Sequence, residues 1–454
     1  MHSSLRYQWE SLRTSYWFLP AVLGGGAILL SAATISIDHT IREYAGWAAG
    51  WTYGGGPEGA RAVLSTIAGS MITVAGVVFS ITIVALSLAS AQFGPRLLRN
   101  FIRDRRNQFV LGTFTATFLY CLLILRTVRG TDDEQFVPGV SVSVGILLAV
   151  ASLGVLIYFI HHVAVSIQAT HVIQSVSQEL RETIDRLWPE ELGEEPSSLD
   201  TSLPAFHEQE AIAVSADASG YLDAIRDDVL IKLAKENDLI IRLAHRPGHF
   251  AVEGTTMAWA SPPQRVSKEL TQRLNSAFVM SSQRTPFQDV EFAIDQLVEV
   301  AVRALSPGVN DPFTALNCIH RLGEALCRLA RRSIPSPFRY DDEKHLRVIA
   351  YPADFSAVAD AAFNQIRQHG AGSAAVLICL LETIGVVASL SQRPEDRAAL
   401  ARHADLVLRA ARRTLTEEAD LADVEERFTV DQKALSTHPS ASPSARSMKP
   451  GRRL

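Results

Sequence analysis

Charge is missing between Val63 and Ala91: VLSTIAGSMITVAGVVFSITIVALSLASA holds no Asp, Glu, Lys or Arg. At 1.5 Å per residue, about 20 residues cross a bilayer core, so this stretch spans one with tilt to spare. The apolar runs Leu19–Ile37, Phe109–Leu125 and Val140–Ile160 are equally uncharged. Ionisable groups inside a membrane mark proton relays and ion-coupling sites. Their absence argues against a proton-coupled pump or secondary transporter. Cysteine is scarce: Cys121, Cys318, Cys327 and Cys379 form no CxxC pair, and Cys121 lies inside an apolar run. A disulfide framework and a zinc site are therefore not expected, and reduced thiols fit. The sequence contains no GxSxG, HExxH or Walker A pattern, so neither catalysis nor a cofactor or metal is expected. A net charge of −5 gives no basic bias toward nucleic acid.

What is present is hydrophobicity, at 47% of the chain, concentrated in the first 165 residues. Four spans are predicted, at about 17–37, 63–91, 108–126 and 140–162. Tyr16, Trp17 and Phe18 mark an interface at the start of the first, which suits a retained anchor better than a signal peptide. Between the second and third spans lies a basic link carrying Arg96, Arg99, Arg103, Arg105 and Arg106 against the single acid Asp104. Leu97, Leu98, Phe101 and Ile102 oppose these arginines, which predicts an amphipathic helix lying in the membrane plane. Anionic lipid headgroups are its expected partners. The link from the third span to the fourth is acidic, Asp132-Asp133-Glu134. Basic loops face the cytoplasm, so both termini are expected there, in a bacterial inner membrane. In the first external loop Tyr44, Trp47 and Trp51 share a helical face, which reads equally as a short interfacial helix or as a packed loop.

The second span carries Thr66, Thr73, Ser80 and Ser87 at seven-residue intervals, with Gly69 and Gly76 beside them. That spacing draws one small, hydroxylic stripe along a helix. The stripe reads either as a surface for close helix packing or as the lining of a polar path.

The rest of the chain divides by pattern. Residues 1–165 form the transmembrane domain. Residues 166–188 continue the fourth span as an amphipathic helical stalk, with Val176, Leu180, Ile184 and Leu187 on its apolar face. Residues 189–210 are an acidic linker, 211–430 a cytoplasmic α+β domain, and 431–454 a disordered basic tail. Within 211–260, AIAVSA and LIIRLAH read as strands, YLDAIRDDVLIKLAKEN as a helix and Arg246-Pro247-Gly248-His249 as a turn. Residues 265–335 read as helical. Thr285 is the expected N-cap of one helix, with Pro286 first and Gln288 closing a capping box; Asp311 caps the next. Asp341-Asp342-Glu343-Lys344 turns a hairpin over 339–351. Ala371–Leu390 is apolar, but Glu382 in its middle makes it a buried core helix rather than a fifth span.

The long stretch QRTPFQDVEFAIDQLVEVAVRALSPGVNDPFTALNCIHRLGEAL resembles the signature of a bacterial predicted-membrane-protein family, the domain of unknown function 2254 family. GSMITVAGVVFSITIVALSLASAQFGPRLLRNF, Ser219-Gly220-Tyr221-Leu222 and Arg246-Pro247-Gly248 suit the same family. The resemblance covers most of residues 15–390. It implies an integral membrane protein and brings no activity with it. Within the signature, Arg284, Asp289, Asn310, Asp311 and His320 form a candidate ligand cluster, with capping and turn formation as the alternative.

The fold expected is thus an α-helical membrane protein of four transmembrane helices with a cytoplasmic, mainly helical α+β domain. A homo-oligomeric pore or membrane sensor leads among functions, followed by a structural or signalling scaffold and then by a membrane-bound enzyme. No nucleic-acid partner is expected.

Overall fold

The computed structural model describes residues 17–44, 53–97, 104–131, 134–188, 206 and 208–436. The chain divides into two compact units, 1–172 and 173–454.

The N-terminal unit is a bundle of four helices, each long and apolar enough to cross a membrane: α1 (Phe18–Tyr44), α2 (Pro57–Phe93), α3 (Arg105–Leu125) and α4 (Gly139–Ser166). α3 is its centre, packing on the other three. Half of α3's apolar stretch is buried inside the bundle, against 11% of α2's. Gly112 makes the centre accessible to α1, because a side chain there would collide with Leu23 and press on the backbone of Pro20. α2 is 37 residues long. Its rise of about 55 Å exceeds the roughly 30 Å hydrocarbon core.

One feature of this unit differs from expectation. The first helix does not stop at Ile37 but runs to Tyr44, carrying Asp38 inside it. Asp38 is buried, so the bundle does contain a carboxylate. Its cost is met by three donors on α4, described below. After Phe93 the described part of the basic link is a 3-10 turn, Pro95–Leu97, and Asp104 then caps α3. Most of the expected in-plane helix, residues 98–103, lies outside the described residues, as do Trp47 and Trp51 of the first loop. Between α3 and α4 two short strands, β1 (Arg129–Thr131) and β2 (Glu134–Phe136), pair antiparallel.

α4 does not flow on into the stalk. It ends at Ser166, and α5 (Ala169–Leu187) starts after a break at Ile167-Gln168. The carbonyl of Gln168 accepts the first N–H groups of α5, from His171 and Val172. From Ile173 on, α5 belongs to the C-terminal unit and does not stand free: Ile173, Val176, Leu180 and Ile184 are buried. Residues 189–205, most of the acidic linker, lie outside the described residues.

The C-terminal unit joins a sheet layer to a helical layer. Strands β3 (Ile212–Ser215), β5 (Ile240–Leu243), β7 (Thr256–Ser261), β9 (Phe338–Tyr340) and β10 (Leu346–Ile349) form one sheet in the order β3-β7-β5-β10-β9. Its pairs are antiparallel except β5 with β10. The predicted hairpin turn is there, with Lys344 in the left-handed region at φ 64°. A second sheet holds β6 (Phe250–Ala251), β4 (Gly220–Ile225) and β8 (Phe278–Ser281). Helices α6 (Asp227–Glu236) and α7 (Lys268–Asn275) complete this layer around a core of Leu222, Leu230, Ile241, Ala260 and Leu274.

Two segments read as helix are therefore strand. Tyr221–Ile225 is β4, and Phe278–Ser281 interrupts the helical 265–335. Each is a strand because the other pairs with it, Ile225 opposite Phe278 and Leu222 opposite Met280. That pairing spans more than fifty residues and overrides local propensity.

The helical layer is α8 (Val290–Ala304), α9 (Pro312–Ala330), α10 (Phe355–His369), α11 (Ala374–Leu390), α12 (Pro394–Thr414) and α13 (Glu418–Ser436). α11 is a core helix, packed by α9, α12 and α13. Glu382 points outward to Arg427 at 3.3 Å. α13 corrects the tail boundary: the chain stays helical past Asp431, which is buried and holds Arg427 in two hydrogen bonds of 2.8 and 2.9 Å. Gly385 makes room for it, since a Cβ there would meet Oδ1 of Asp431 at 2.4 Å. Residues 437–454 lie outside the described residues.

Candidate functional site

The signature segment forms a charged node in the C-terminal unit. β8 delivers the loop 282–289 to the start of α8. The expected cap there is displaced by four residues: Asp289, not Thr285, caps α8, accepting the N–H of Phe292 at 3.0 Å. Thr285 instead donates to Oδ1 of Asp223 at 2.5 Å. The Gln288 side chain extends β4 as a strand would, accepting the N–H of Ile225 at 2.9 Å and donating to its carbonyl at 3.3 Å. Arg284 ties the node together, donating to Asp289 at 2.7 Å and to Asp295 at 3.0 Å.

The turn Arg246-Pro247-Gly248-His249 comes to the same place. Gly248 has φ +94°, a conformation that favours glycine. A Cβ on it would lie 2.2 Å from the Asp289 carboxylate. Arg246 donates to Glu291 at 2.5 Å and to Nε2 of His249 at 3.2 Å. Burial, then the neighbouring Arg246, holds the His249 pKa below its ordinary value. Burial raises that of Glu291, against the pull of Arg246. Two arginines face three carboxylates here, and each arginine spends its donors inside the cluster. The node is a joint between the sheet layer and α8.

The five residues gathered by sequence do not meet as one site. Arg284 and Asp289 stand at the start of α8, and Asn310 and Asp311 follow its end. The 15 residues of α8 separate the two pairs by about 22 Å. At the far end Asp311 is the expected N-cap of α9, accepting from the N–H of Thr314 at 3.2 Å and its hydroxyl at 2.6 Å. Asn310 takes the left-handed φ of 49° that closes the α8–α9 turn. His320 lies further along α9, its Nε2 at 3.4 Å from Sγ of Cys379. Turn and cap chemistry accounts for both pairs. Among the described residues no three His, Cys, Asp or Glu side chains are grouped to hold a metal ion.

In the bundle, the stripe on α2 faces outward. Thr66, Thr73, Ser80 and Ser87 are exposed, while Leu64, Ala68, Ala75, Val78 and Ala89 turn to the bundle. Thr66, Thr73 and Ser80 each donate to the carbonyl four residues earlier, at 2.7, 2.8 and 2.9 Å. Among the described residues the other helices of the bundle leave the stripe uncovered. Arg96 lies in the 3-10 turn, Arg105 and Arg106 open α3, and Arg99 and Arg103 lie outside the described residues.

The polar contacts that hold the bundle together escaped sequence reading. Asp38 of α1 accepts the N–H groups of Val140 and Ser141 at 2.8 and 2.9 Å and the Ser141 hydroxyl at 2.6 Å. It caps α4, whose own N-cap position is Pro138, from another helix. The Tyr120 hydroxyl bridges Thr34 and the Ser141 carbonyl, 3.0 Å from each. Thr117 and Ser152 hydroxyls meet at 3.1 Å. At the other end of α4, His162 joins Asp104 at 2.7 Å. A lone Asp at the end of an apolar run was the available signal for the first of these.

Four helices long and apolar enough to cross a membrane, joined to a large α+β unit, place the chain in the class of predicted helical membrane proteins. The pattern of the predicted membrane protein family DUF2254 matches residues 13–385, and the chain belongs to that family. It is similar to an uncharacterized protein of Mycobacterium bovis and to one of Mycobacterium tuberculosis. Each is 33% identical over 426 residues, covering 91% of this chain and 80% of the relative. No solved structure matches it.

Proposed function

We propose that this protein is an oligomeric membrane sensor, assembled through the outward stripe of α2 and acting without catalysis. The carrying observation is that small residues and hydroxyls line a face that its own bundle leaves uncovered. Gly69-Thr73 and Gly76-Ser80 repeat a small residue four positions apart, the spacing that lets membrane helices approach closely. Their hydroxyls already bond to their own backbone. That supports packing against a second copy more than a wet conducting path. In this reading the C-terminal unit is cytoplasmic, as the arginines of the 96–106 link favour. Arg96, Arg105 and Arg106 then meet anionic headgroups of the inner membrane.

Cysteine cross-linking in a Cys121→Ala background tests the assembly. Thr73→Cys and Ser80→Cys should form disulfide-linked dimers in membranes, and Ala75→Cys, on the bundle side, should not. A water-soluble thiol reagent should leave the stripe cysteines unlabelled. Absence of cross-links together with a monomeric mass in mild detergent would overturn the proposal. Efficient labelling along the whole stripe would replace it with a pore.

A further inference from the structure

Three helix ends meet in the C-terminal unit. α10 and α12 run parallel, as their contacts show: Asp360 is 2.7 Å from Arg402 and 3.0 Å from His403, and Phe363 packs edge-on to His403 at 5.4 Å. Farther along, the Thr414 hydroxyl donates to the carbonyl of Ala371. α11 begins four residues after the Gly370 that follows α10, and no side chain caps its first turn. The C-termini of α10 and α12 and the N-terminus of α11 thus lie at one end of the layer.

Arginines collect there. Arg367 sits two turns beyond Asp360 on α10. On α12, Arg409 sits two turns beyond Arg402, and Arg413 one turn further. Cations are favoured at helix C-termini, which accounts for exposed ones. Arg367 is not exposed. It is 9% accessible, and its Nε, shut off from solvent, has no hydrogen-bond partner. The charges that act on it are Arg413 and Arg409, after burial itself, and all three lower its pKa. Arg412, in the same turn as Arg413, has its carboxylate, Glu425 at 2.8 Å. A largely buried guanidinium whose charged neighbours are arginines is costly. It becomes favourable when an anion completes it.

We infer that Arg367, Arg409 and Arg413 form a binding site for a phosphate-type dianion at the shared end of α10, α11 and α12. Guanidinium groups offer paired N–H donors that match phosphate oxygens. Three of them balance a phosphomonoester better than a singly charged anion. The first turn of α11, which no side chain caps, lies at the same end, where helix N-termini favour phosphate. The buried Arg367 sets the site's position, and the two exposed arginines of α12 close over the bound oxygens. The phosphate belongs either to a soluble molecule or to a lipid headgroup.

Thermal unfolding of the full chain in detergent tests the site. Inorganic phosphate should raise the melting temperature saturably, and sodium chloride at equal ionic strength should not. Arg367→Met should abolish the phosphate response and melt higher than wild type without anion, because it removes an uncompensated charge. That rise separates the site from a merely structural arginine. Should Arg367→Met fail to fold, Arg409→Gln with Arg413→Gln, both on the surface, should weaken phosphate at least tenfold. The same melt in nanodiscs with and without phosphatidic acid distinguishes the sources. A response to free phosphate indicates a soluble ligand, and a response to phosphatidic acid alone indicates a headgroup. No response to either, or an equal response in the variants, overturns the inference.

Discussion

The carboxylate of Asp38 accepts the Ser141 hydroxyl at 2.6 Å and the Ser141 N–H at 2.9 Å, capping a helix to which it does not belong. The third donor is the N–H of Val140 at 2.8 Å. Removing the acceptor strands all three near the start of α4. Asp38→Ala should therefore lower bundle stability by about 2–4 kcal/mol, the range of a lost cap plus buried unpaired donors. Asp38→Asn, with one acceptor oxygen left, should cost about half as much. Unfolding of the detergent-solubilised protein by a denaturing detergent reads the difference.

At the opposite end of α4, Asp104 serves two partners, the Arg106 N–H at 2.9 Å and His162 at 2.7 Å. Asp104→Ala should cost more than His162→Ala, because it removes a cap as well as the pair. A double-mutant cycle should return a coupling of about 1 kcal/mol between them. A coupling near zero would mean that the contact contributes nothing to folding.

The charged node and the α9 cap should differ in weight. Asp311→Ala loses a partly exposed cap and should cost about 1 kcal/mol, with Asp311→Asn nearly neutral. Asp289→Ala loses a buried cap and unpairs one side of Arg284, and should cost about 2–4 kcal/mol. Gly248→Ala should resemble it, since the added methyl strikes the same carboxylate from a strained backbone. Thermal melts of the four variants rank them. Equal losses at Asp289 and Asp311 would contradict this division.

His403 predicts the acid response. It is wholly buried, and burial foremost, followed by Arg402, drives its pKa down from 6.5 to about 4. The folded state therefore binds fewer protons than the unfolded state between those values. The associated stability is complete above pH 6.5 and is lost as pH falls toward 4, by a few kcal/mol at most. His403→Leu should flatten this part of the profile, which melting temperatures at pH 7 and pH 4.5 will show.

Much of the architecture was legible because it is written in runs. The four apolar segments, the hairpin turn around Lys344, the Asp311 cap and the core helix with its outward Glu382 follow from local composition. The strands β4 and β8 were not, because each is a strand only through the other. Sequence points to Thr285 rather than Asp289 as the cap because both positions of the 282–289 loop carry acceptors, and what decides is where β4 ends. The five-residue cluster failed for a metric reason: a helix the length of α8 lies between its two halves. Arg367 drew no notice, since a lone arginine in an amphipathic helix becomes informative only when its neighbours are known to be arginines too.

Asp38 and Asp104 grip α4 at positions about 22 residues apart, or roughly 33 Å. That is close to the thickness of a bilayer's hydrocarbon core. With both ends fastened, α4 cannot slide along its neighbours when the surrounding lipid thins or thickens. The bundle must tilt as a body or bend the lipid around it, at a cost for every ångström of mismatch. In the sensor reading proposed above, the two carboxylates would fix the length of α4 against which a change in membrane thickness is felt.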